Sequence, residues 1–301
     1  MPHLSYPIPT PSSFQFSFSL QHLNRSPLEL LHHVEEEGLY KSIPFPGRKL
    51  PFHITASGSG SLEARLLEGS ALSEAEQHFL QAYLSAWFDL DRDLHPFYQL
   101  AADDPLLGQF FSRLKGLRLV GVHELFEALA WAIMGQQINL AFAYKMKARL
   151  VEQFGESYTA AGRSWYHFPT PAVIANIDPD QLKPLQFSRQ KATYLKLTAQ
   201  EMVSGRLSLA ELQAQGDLKA KSAYLTQFKG IGPWTAHYAL MRCLREADAY
   251  PIADAGLHQA VRRWAKLDRK PTYPELESLA EGWKGWRGYA TFYLWRSLRL
   301  E

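Results

Sequence analysis

The chain has 301 residues, 46% of them hydrophobic, and a formal net charge of +2 at pH 7. No run approaches the roughly 20 uninterrupted apolar residues of a membrane span, which excludes a helical membrane protein. The single cysteine, Cys243, excludes an intrachain disulfide framework, a Cys-ligated zinc site and a four-cysteine iron–sulfur cluster. Residues 1–13 are rich in Pro and Ser and lack the basic and apolar blocks of a secretory signal, so we expect a cytoplasmic protein.

Charge is unevenly distributed along the chain. Residues 1–98 hold 6 Lys and Arg against 11 Asp and Glu, residues 99–184 hold 8 against 8, and residues 185–301 hold 18 against 11. The basic C-terminal third is compatible with a polyanionic partner, although solvated basic helix faces would give the same counts.

The first 86 residues show strand signals followed by a helix signal. Apolar residues at every second position from Phe14 to Leu20 predict a β-strand. Ser73 and Glu76 have the spacing of a capping box and precede apolar residues at helical spacing. Further short strands are predicted at residues 40–45, 51–56 and 62–67. These elements predict a small N-terminal α+β domain over residues 1–86.

Beyond about residue 95 the sequence shows only helical segments, divided by Gly and Pro. We find no strand pattern among them, so residues 87–301 are predicted to form an all-α body of two lobes with a cleft between them. The fold class is therefore mainly α. Helices are predicted over residues 105–114, 122–134, 140–154, 171–175, 180–185, 188–204, 208–215, 218–228, 233–244, 255–266, 273–283 and 289–298.

The segment Lys229-Gly230-Ile231-Gly232 must reverse the chain between two predicted helices. Its two glycines allow positive φ angles and carry no side chains that would block a close approach. Pro233 suits the first position of the second helix. The N–H groups of Gly230 and Gly232 would then converge near a helix N-terminus, where a phosphate can bind. An ordinary tight turn between helices would need the same glycines.

Asp254 follows Gly232 by 22 residues and precedes another predicted helix. A carboxylate at this place is an N-cap, and in an apolar cleft it can face a substrate as well. Aromatic residues are concentrated around this part of the sequence; most are expected in the core, and those left in a cleft would stack on a planar base, a cationic one above all. The aromatic residues concerned are Trp234, Tyr238, Trp283, Trp286, Tyr289, Tyr293 and Trp295.

Several of these segments together resemble one protein family. Phe228-Lys229-Gly230-Ile231-Gly232-Pro233-Trp234-Thr235-Ala236, followed by Pro251-Ile252-Ala253-Asp254, resembles the signature of the helix-hairpin-helix (HhH-GPD) DNA glycosylase superfamily. Residues 132–139 and 188–192 are similar to two further segments of that family, so the likeness covers about residues 87–298. Within the superfamily the sequence is most similar to the 3-methyladenine DNA glycosylase II group, which also has an N-terminal α+β domain.

The resemblance implies a role for each matching residue. Asp254 falls on the catalytic carboxylate, and Gln137 falls on the residue that fills the gap left by a flipped nucleotide. The residues that fall on the base pocket are Trp234, Tyr238 and Trp295. Those that fall on the DNA-binding hairpin are Lys229, Gly230 and Gly232. The family also binds a structural monovalent cation, Na+ or K+, through backbone carbonyls, here those of Thr226, Phe228 and Ile231.

Two positions depart from the family pattern in informative ways. Lys229 stands where the family usually has Pro, which adds a candidate phosphate contact. Trp234 stands where the lyase-competent members carry a nucleophilic lysine, so no amine is available at this position for a Schiff base. We therefore expect a monofunctional, monomeric enzyme that needs no cofactor for its chemistry and leaves an abasic site in double-stranded DNA.

The resemblance implies an oxocarbenium-like sugar, whose positive charge an ionised Asp254 would stabilise. An alkylated purine is already a good leaving group, so a second, proton-donating carboxyl is dispensable. The sequence leaves 3-methyladenine, 7-methylguanine, hypoxanthine and ethenoadenine open as lesions.

Two hypotheses from other classes stay open. The first is a noncatalytic helix-hairpin-helix module that only binds DNA. The second is a zinc hydrolase, suggested by His32-His33 and His123-Glu124, although the sequence contains no HExxH or comparable ligand spacing.

Overall fold

The computed structural model describes residues 4–36, 38–58 and 60–300. Within these ranges, seven strands form one five-stranded sheet near the N-terminus and one two-stranded hairpin in the middle of the chain. The strands are β1 Ser5–Pro9, β2 His33–Glu35, β3 Gly38–Phe45, β4 Arg48–Ser57, β5 Ser61–Leu66, β6 Glu156–Ala160 and β7 Arg163–His167. The helices are α1 Phe16–Leu23, α2 Glu74–Phe88, α3 His95–Asp103, α4 Phe111–Leu114, α5 Leu125–Gly135, α6 Leu140–Phe154, α7 Pro171–Asn176, α8 Arg189–Val203, α9 Leu209–Ala214, α10 Leu218–Thr226, α11 Pro233–Arg242, α12 Ala255–Trp264, α13 Tyr273–Glu281 and α14 Arg287–Ser297.

The larger sheet is antiparallel, with the strand order β1-β5-β4-β3-β2. The three strands predicted at residues 40–45, 51–56 and 62–67 are confirmed as β3, β4 and β5. Strand β1, which contains Pro7 and Pro9, was not predicted. Because β1 lies at the sheet edge, its prolines remove no hydrogen bond from a central ladder.

The strand predicted from Phe14 to Leu20 is wrong, because residues 16–23 form helix α1. Its buried side chains recur at helical spacing, and they include Phe16, Leu20 and Leu23. The other side of α1 packs on the C-terminal helix, where the rings of His22 and Phe292 lie 4.8 Å apart. The capping box predicted at Ser73 is confirmed at the start of α2.

Most predicted helices of the C-terminal body are confirmed within a few residues, and α6 has the bounds expected from the sequence. The expectation that no strand interrupts them is wrong, because β6 and β7 pair as an antiparallel hairpin after α6. Ala161 and Gly162 both have positive φ in its two-residue turn, as such hairpins require. Helix α3 was not predicted, and residues 179–182 form a 3-10 helix where an α-helix was expected.

Two hydrophobic clusters stabilise the described part of the chain. One joins the five-stranded sheet to the C-terminal helices and includes Leu39, Ile54 and Phe292. The other lies among α5, α6, α7 and α8. Helix α5 supplies Leu129 to the first cluster and Met134 to the second. The predicted domain boundary at residue 86 falls within α2, whose residues Leu84 and Phe88 belong to the first cluster. No helix among the described residues is long and apolar enough to cross a membrane.

A buried ion triad connects the N-terminal segment to two helices of the body. Lys147 Nζ on α6 lies 3.1 Å from Glu29 and 3.0 Å from Glu127 on α5. Burial alone would raise the pKa of Glu29, but attraction to Lys147 and His32 and hydrogen bonds from Lys147 and the Leu31 N–H together lower it to about 2. The two carboxylates raise the pKa of Lys147 above its ordinary value despite burial. The contacts within the triad therefore favour the charged forms of Glu29 and Lys147 at neutral pH.

Candidate active site

The chain reverses between α10 and α11 through the predicted hairpin. Gly230 has a φ of +96°, and a Cβ on it would lie 2.5 Å from Cγ of Tyr194, so this glycine is required both by its backbone and by the packing. Gly232 is the N-cap of α11 with a φ of −85°. It is exposed, and a Cβ there would meet no atom within 4 Å. Nothing in the fold therefore requires glycine at residue 232.

The hairpin exposes backbone oxygens as well as N–H groups. The carbonyl of Phe228 accepts the Ile231 N–H at 3.1 Å. Among the described residues, no backbone or side-chain donor bonds the carbonyls of Thr226 and Ile231. Neutral oxygens of this kind suit a monovalent cation, so these residues fit the expected site. No group of His, Cys, Asp and Glu in the described ranges fits a metal ion, which leaves the zinc hypothesis without support.

The loop between α5 and α6 is fastened to the hairpin. Gln136 donates from Nε2 to the Gly230 carbonyl at 3.3 Å and to Thr235 Oγ1 at 3.2 Å. Lys191 donates to the Met134 carbonyl at 2.7 Å, at the end of α5. Gln137, which follows Gln136 in the loop, is exposed and has a φ of +57°. The roles of Gln136 and Lys191 in holding this loop were not assigned from the sequence, although both lie in segments that resemble the family.

Asp254 is the N-cap of α12, as its position in the sequence predicted. Its Oδ1 accepts the Leu257 N–H at 2.9 Å. Two indoles donate to the same carboxylate: Trp295 Nε1 lies 2.7 Å from Oδ1, and Trp234 Nε1 lies 3.2 Å from Oδ2. Asp254 is half-buried and forms no ion pair among the described residues. Helices α11, α12 and α14 thus fix the orientation of one unpaired carboxylate.

The three aromatic residues assigned to the base pocket lie together. The ring centroid of Tyr238 lies 5.8 Å from that of Trp234 and 6.2 Å from that of Trp295. A Cβ on Gly256 would lie 3.0 Å from Cδ1 of Trp295 and 3.1 Å from Oδ1 of Asp254. The absence of a side chain at Gly256 therefore permits the contact between Trp295 and Asp254, a role that the sequence did not reveal.

Most of the other aromatic residues near the C-terminus belong to the core, as expected. Trp283, Tyr289 and Tyr293 have no exposed surface. Trp283 donates to Asp104 at 2.8 Å, and the Tyr293 hydroxyl donates to the Leu117 carbonyl at 2.9 Å. Cys243 is also buried, which raises the pKa of its thiol to about 12. These side chains are fully explained by the fold.

A cavity of about 650 Å³ lies between the N-terminal segment and the body. This volume is typical of a ligand site. Tyr238 lines the cavity, whereas Asp254, Trp234 and Trp295 do not. Its other walls include Arg25, Trp131 and Arg242. The ring of Tyr238 therefore separates the cavity from the residues that hold Asp254. The cavity was not predicted from the sequence.

Comparison with known families agrees with this geometry. Residues 130–285, which contain the hairpin and Asp254, match the model of the HhH-GPD superfamily base excision DNA repair protein. The chain belongs to the HhH-GPD superfamily. Residues 40–129 match a second model, the N-terminal domain of 8-oxoguanine DNA glycosylase.

Relatives of this HhH-GPD protein cover from about 63% of its length to nearly all of it, as two curated proteins and one solved structure show. A DNA-3-methyladenine glycosylase of Bacillus subtilis is 37% identical over 292 residues, which are 97% of this chain and 96% of the relative. DNA-3-methyladenine glycosylase 2 of Escherichia coli is 32% identical over 63% of each chain. The solved structure of a 3-methyladenine DNA glycosylase from Archaeoglobus fulgidus matches 98% of this chain and 99% of its own, with a TM-score of 0.84 and 25% identity.

Proposed function

We propose that this HhH-GPD protein is a DNA glycosylase that hydrolyses the N-glycosidic bond of an alkylated purine flipped out of duplex DNA. The observation that carries the proposal is the half-buried carboxylate of Asp254, which two indoles orient beside the hairpin. The names of the relatives from Bacillus subtilis and Escherichia coli support 3-methyladenine as one lesion.

We propose that the body has two lobes with a cleft between them. DNA would lie in this cleft, held by the hairpin and by the loop between α5 and α6. The N–H groups at Gly230 and Gly232 and the exposed Lys229 would bind backbone phosphates, since a helix N-terminus attracts anions. A monovalent cation bound by the hairpin carbonyls would contribute positive charge at the same place. Gln137, exposed on a loop that Gln136 fastens to the hairpin, would fill the gap left by the everted nucleotide. Flipping costs a few kcal/mol and is easiest for weakened pairs, which favours damaged bases.

Asp254 would act on the sugar of the everted nucleotide. As the bond to the base breaks, positive charge develops at C1′, and a fixed carboxylate stabilises that charge without reorganisation. Water attacks C1′, the electron pair of the broken bond leaves with the purine, and the water proton is lost to solvent. An alkylated purine leaves readily, so the lack of a second carboxyl beside Asp254 suits this substrate class.

The reaction would end at an abasic site, without cleavage of the strand. Lyase activity needs an amine that attacks the sugar carbon, and Trp234 occupies the position on α11 where family members with this activity carry lysine. The indole of Trp234 instead donates to Asp254. We therefore infer a monofunctional enzyme. We also propose that it acts as a monomer.

The experiment that tests the proposal is incubation of the protein with methylated duplex DNA, followed by identification of released bases by mass spectrometry. We expect free alkylated purines and an intact but alkali-labile strand. If no base is released from alkylated or deaminated duplexes to which the protein binds, the noncatalytic DNA-binding module is the better account.

A further inference from the structure

The loop between α5 and α6 contains a tight turn at residues 135–138, with a side chain where glycine is usual. Gln136 has a φ of −56° and a ψ of 123°, and Gln137 has a φ of +57°. The Ile138 N–H lies 3.5 Å from the Gly135 carbonyl. These values fit a type II turn, whose third residue is usually Gly or Asn because a Cβ is strained there. Gln137 is exposed, so packing inside the protein does not explain a glutamine at this position.

One side chain joins this turn to the hairpin. Backbone strain persists only where the surrounding contacts fix the chain. Gln136 supplies such contacts, because its Nε2 donates to the Gly230 carbonyl at 3.3 Å and to Thr235 Oγ1 at 3.2 Å. A carbonyl only accepts, so the amide must present its NH2 group here, and the two bonds use both of its donors. The turn is therefore bound to the hairpin and to the first turn of α11 at once.

Two further contacts hold the start of the turn. Lys191 on α8 donates from Nζ to the Met134 carbonyl at 2.7 Å, in the last turn of α5, where a helix dipole attracts a cation. A Cβ on Gly135 would lie 3.9 Å from Cη2 of Trp234, whose indole donates to Asp254. The turn is thus fixed from α8 as well, and it lies beside the indole that orients the carboxylate.

These contacts fix the places of three features that one nucleotide would meet. In the proposed function the hairpin binds its backbone, Asp254 faces its sugar, and Gln137 fills the gap that it leaves. A side chain on a loose loop would lose conformational freedom when it enters the duplex, and this loss would oppose eversion. A side chain that is already held in place avoids most of this cost.

We propose that Gln136, together with Lys191, positions Gln137 and so couples binding of the strand at the hairpin to eversion of the damaged nucleotide. The inference rests on the proposed glycosylase function and adds positioning residues for its flipping step. The amide of Gln136 is bound to the hairpin and to α11, so Gln136 acts through Gln137. Its contribution is greatest where a stable base pair has to be opened, because an unpaired nucleotide is everted at lower cost.

The first test is a double-mutant cycle. It measures the single-turnover release of alkylated purines from methylated duplex DNA at saturating protein. Gln136→Met keeps the length of the side chain and removes both N–H donors, and Gln137→Ala removes the inserted side chain and keeps the Cβ of the turn. We expect each variant to lower the rate roughly tenfold or more. The double variant should lose little beyond the larger single loss, because coupled residues are not additive.

The second test compares the same lesion in a base pair and in a bulge. A strand whose only purine is one adenine is methylated as a duplex, purified, and annealed either to its full complement or to a complement that lacks the opposite nucleotide. Gln136→Met and Lys191→Met should lower release from the paired site roughly tenfold or more, and release from the bulge at most about twofold. A damaged fold or a weaker grip on DNA would lower both rates by the same factor.

Gln77→Met is the matched control. Gln77 is an exposed glutamine on α2 whose Nε2 donates to the Leu72 carbonyl at 3.1 Å, so the same chemical change is made away from the hairpin and the turn. Both of its rates should equal those of the wild type. Thermal unfolding is measured for every variant, and Lys191→Met tests the proposal through a contact that Gln136 does not make.

The contrary outcomes separate this inference from the proposed function. Single losses that multiply to roughly a hundredfold in the double variant would overturn this inference, and so would equal losses for the paired and the bulged lesion. Release by Gln137→Ala at the wild-type rate would overturn it too, while the reaction assigned to Asp254 would stand. A wild-type protein that releases no purine from methylated duplex DNA would overturn the proposed function and this inference together.

Discussion

Trp295 on α14 donates its indole N–H to Oδ1 of Asp254 over 2.7 Å, although the two residues are 41 positions apart in the sequence. The contact depends on Gly256, because a Cβ there would lie 3.0 Å from the indole. Trp295 therefore acts as a positioning residue for the carboxylate.

Trp295→Phe keeps an aromatic ring and removes the N–H donor. We expect the single-turnover rate of base release to fall about tenfold, since a bond to a charged group is lost while Trp234 and Leu257 still hold Asp254. The affinity for duplex DNA should not change. Trp264→Phe is the matched control, because the Trp264 indole donates to Ser297 at 2.7 Å, away from Asp254. Equal rate losses in the two variants would show that Trp295 has only a structural role.

The two hairpin glycines should respond differently to substitution by alanine. Gly230→Ala places a methyl group against Tyr194 at a positive φ, so we expect it to lower the free energy of unfolding by roughly 1–3 kcal/mol. Gly232→Ala should cost at most about 1 kcal/mol, as an N-cap change, and yet weaken DNA binding roughly tenfold, because the methyl group lies where a phosphate would approach. Chemical denaturation and duplex titration measure these effects. Unchanged DNA affinity in Gly232→Ala would contradict the phosphate site.

The absence of lyase activity is tested by trapping with borohydride. An enzyme that forms a Schiff base with the abasic sugar becomes covalently attached to DNA on reduction. We expect no attached DNA with the wild-type protein and no strand cleavage before alkali treatment. A trapped adduct would show that an amine other than one at residue 234 reaches the sugar, and the monofunctional assignment would be wrong.

Local signals in the sequence were enough to locate most helices and the ends of several. Asn139 accepts the Phe142 N–H at the start of α6, and Gly155 follows its last residue, so both ends carry a recognisable residue. The strand prediction at Phe14 is wrong because the aromatic residues alternate in the sequence, whereas the buried face of α1 is formed by Phe16, Leu20 and Leu23 at helical spacing. The rings of Phe14 and Phe16 pack on Phe88, and periodicity carries no information about such a distant contact.

The candidate site also contains features that the sequence predicted and features that it did not. Asp254 and the hairpin were predictable because capping and chain reversal are local requirements. The cavity was not, since Arg25, Trp131 and Arg242 come from three separate elements that only the folded chain brings together. Gly256 was not recognised either, because its importance lies in the space that Trp295 occupies.

The buried triad predicts a pH dependence of stability. A carboxyl with a lower pKa in the folded than in the unfolded state stabilises the fold above its unfolded value, and this stability is lost as the pH falls through the folded value. For Glu29 these values are 4.5 and about 2, so about 3 kcal/mol should be lost across that window.

Lys147→Met removes the cation that binds the buried Glu29 and the partly buried Glu127 and should lower the free energy of unfolding at pH 7 by about 3–5 kcal/mol. The difference from the wild type should shrink near pH 3, where the Glu29 carboxyl without its cation becomes protonated. Lys183→Met removes the exposed pair with Asp180 and should change stability by at most about 0.5 kcal/mol. A Lys147→Met difference that is equally large at both pH values would contradict this account.

The most direct test of the central claim compares Asp254→Asn with the wild type in single-turnover release of alkylated purines from duplex DNA. Asparagine keeps an oxygen that can accept the Leu257 N–H, so the cap of α12 should survive. Asp217→Asn is the matched control, because Asp217 caps α10 at 2.8 Å and lies on the surface. We predict that Asp254→Asn lowers the rate by at least about 10²–10³ and leaves DNA binding intact, while Asp217→Asn matches the wild type. Base release by Asp254→Asn at the wild-type rate would contradict the assignment of Asp254 as the catalytic carboxylate.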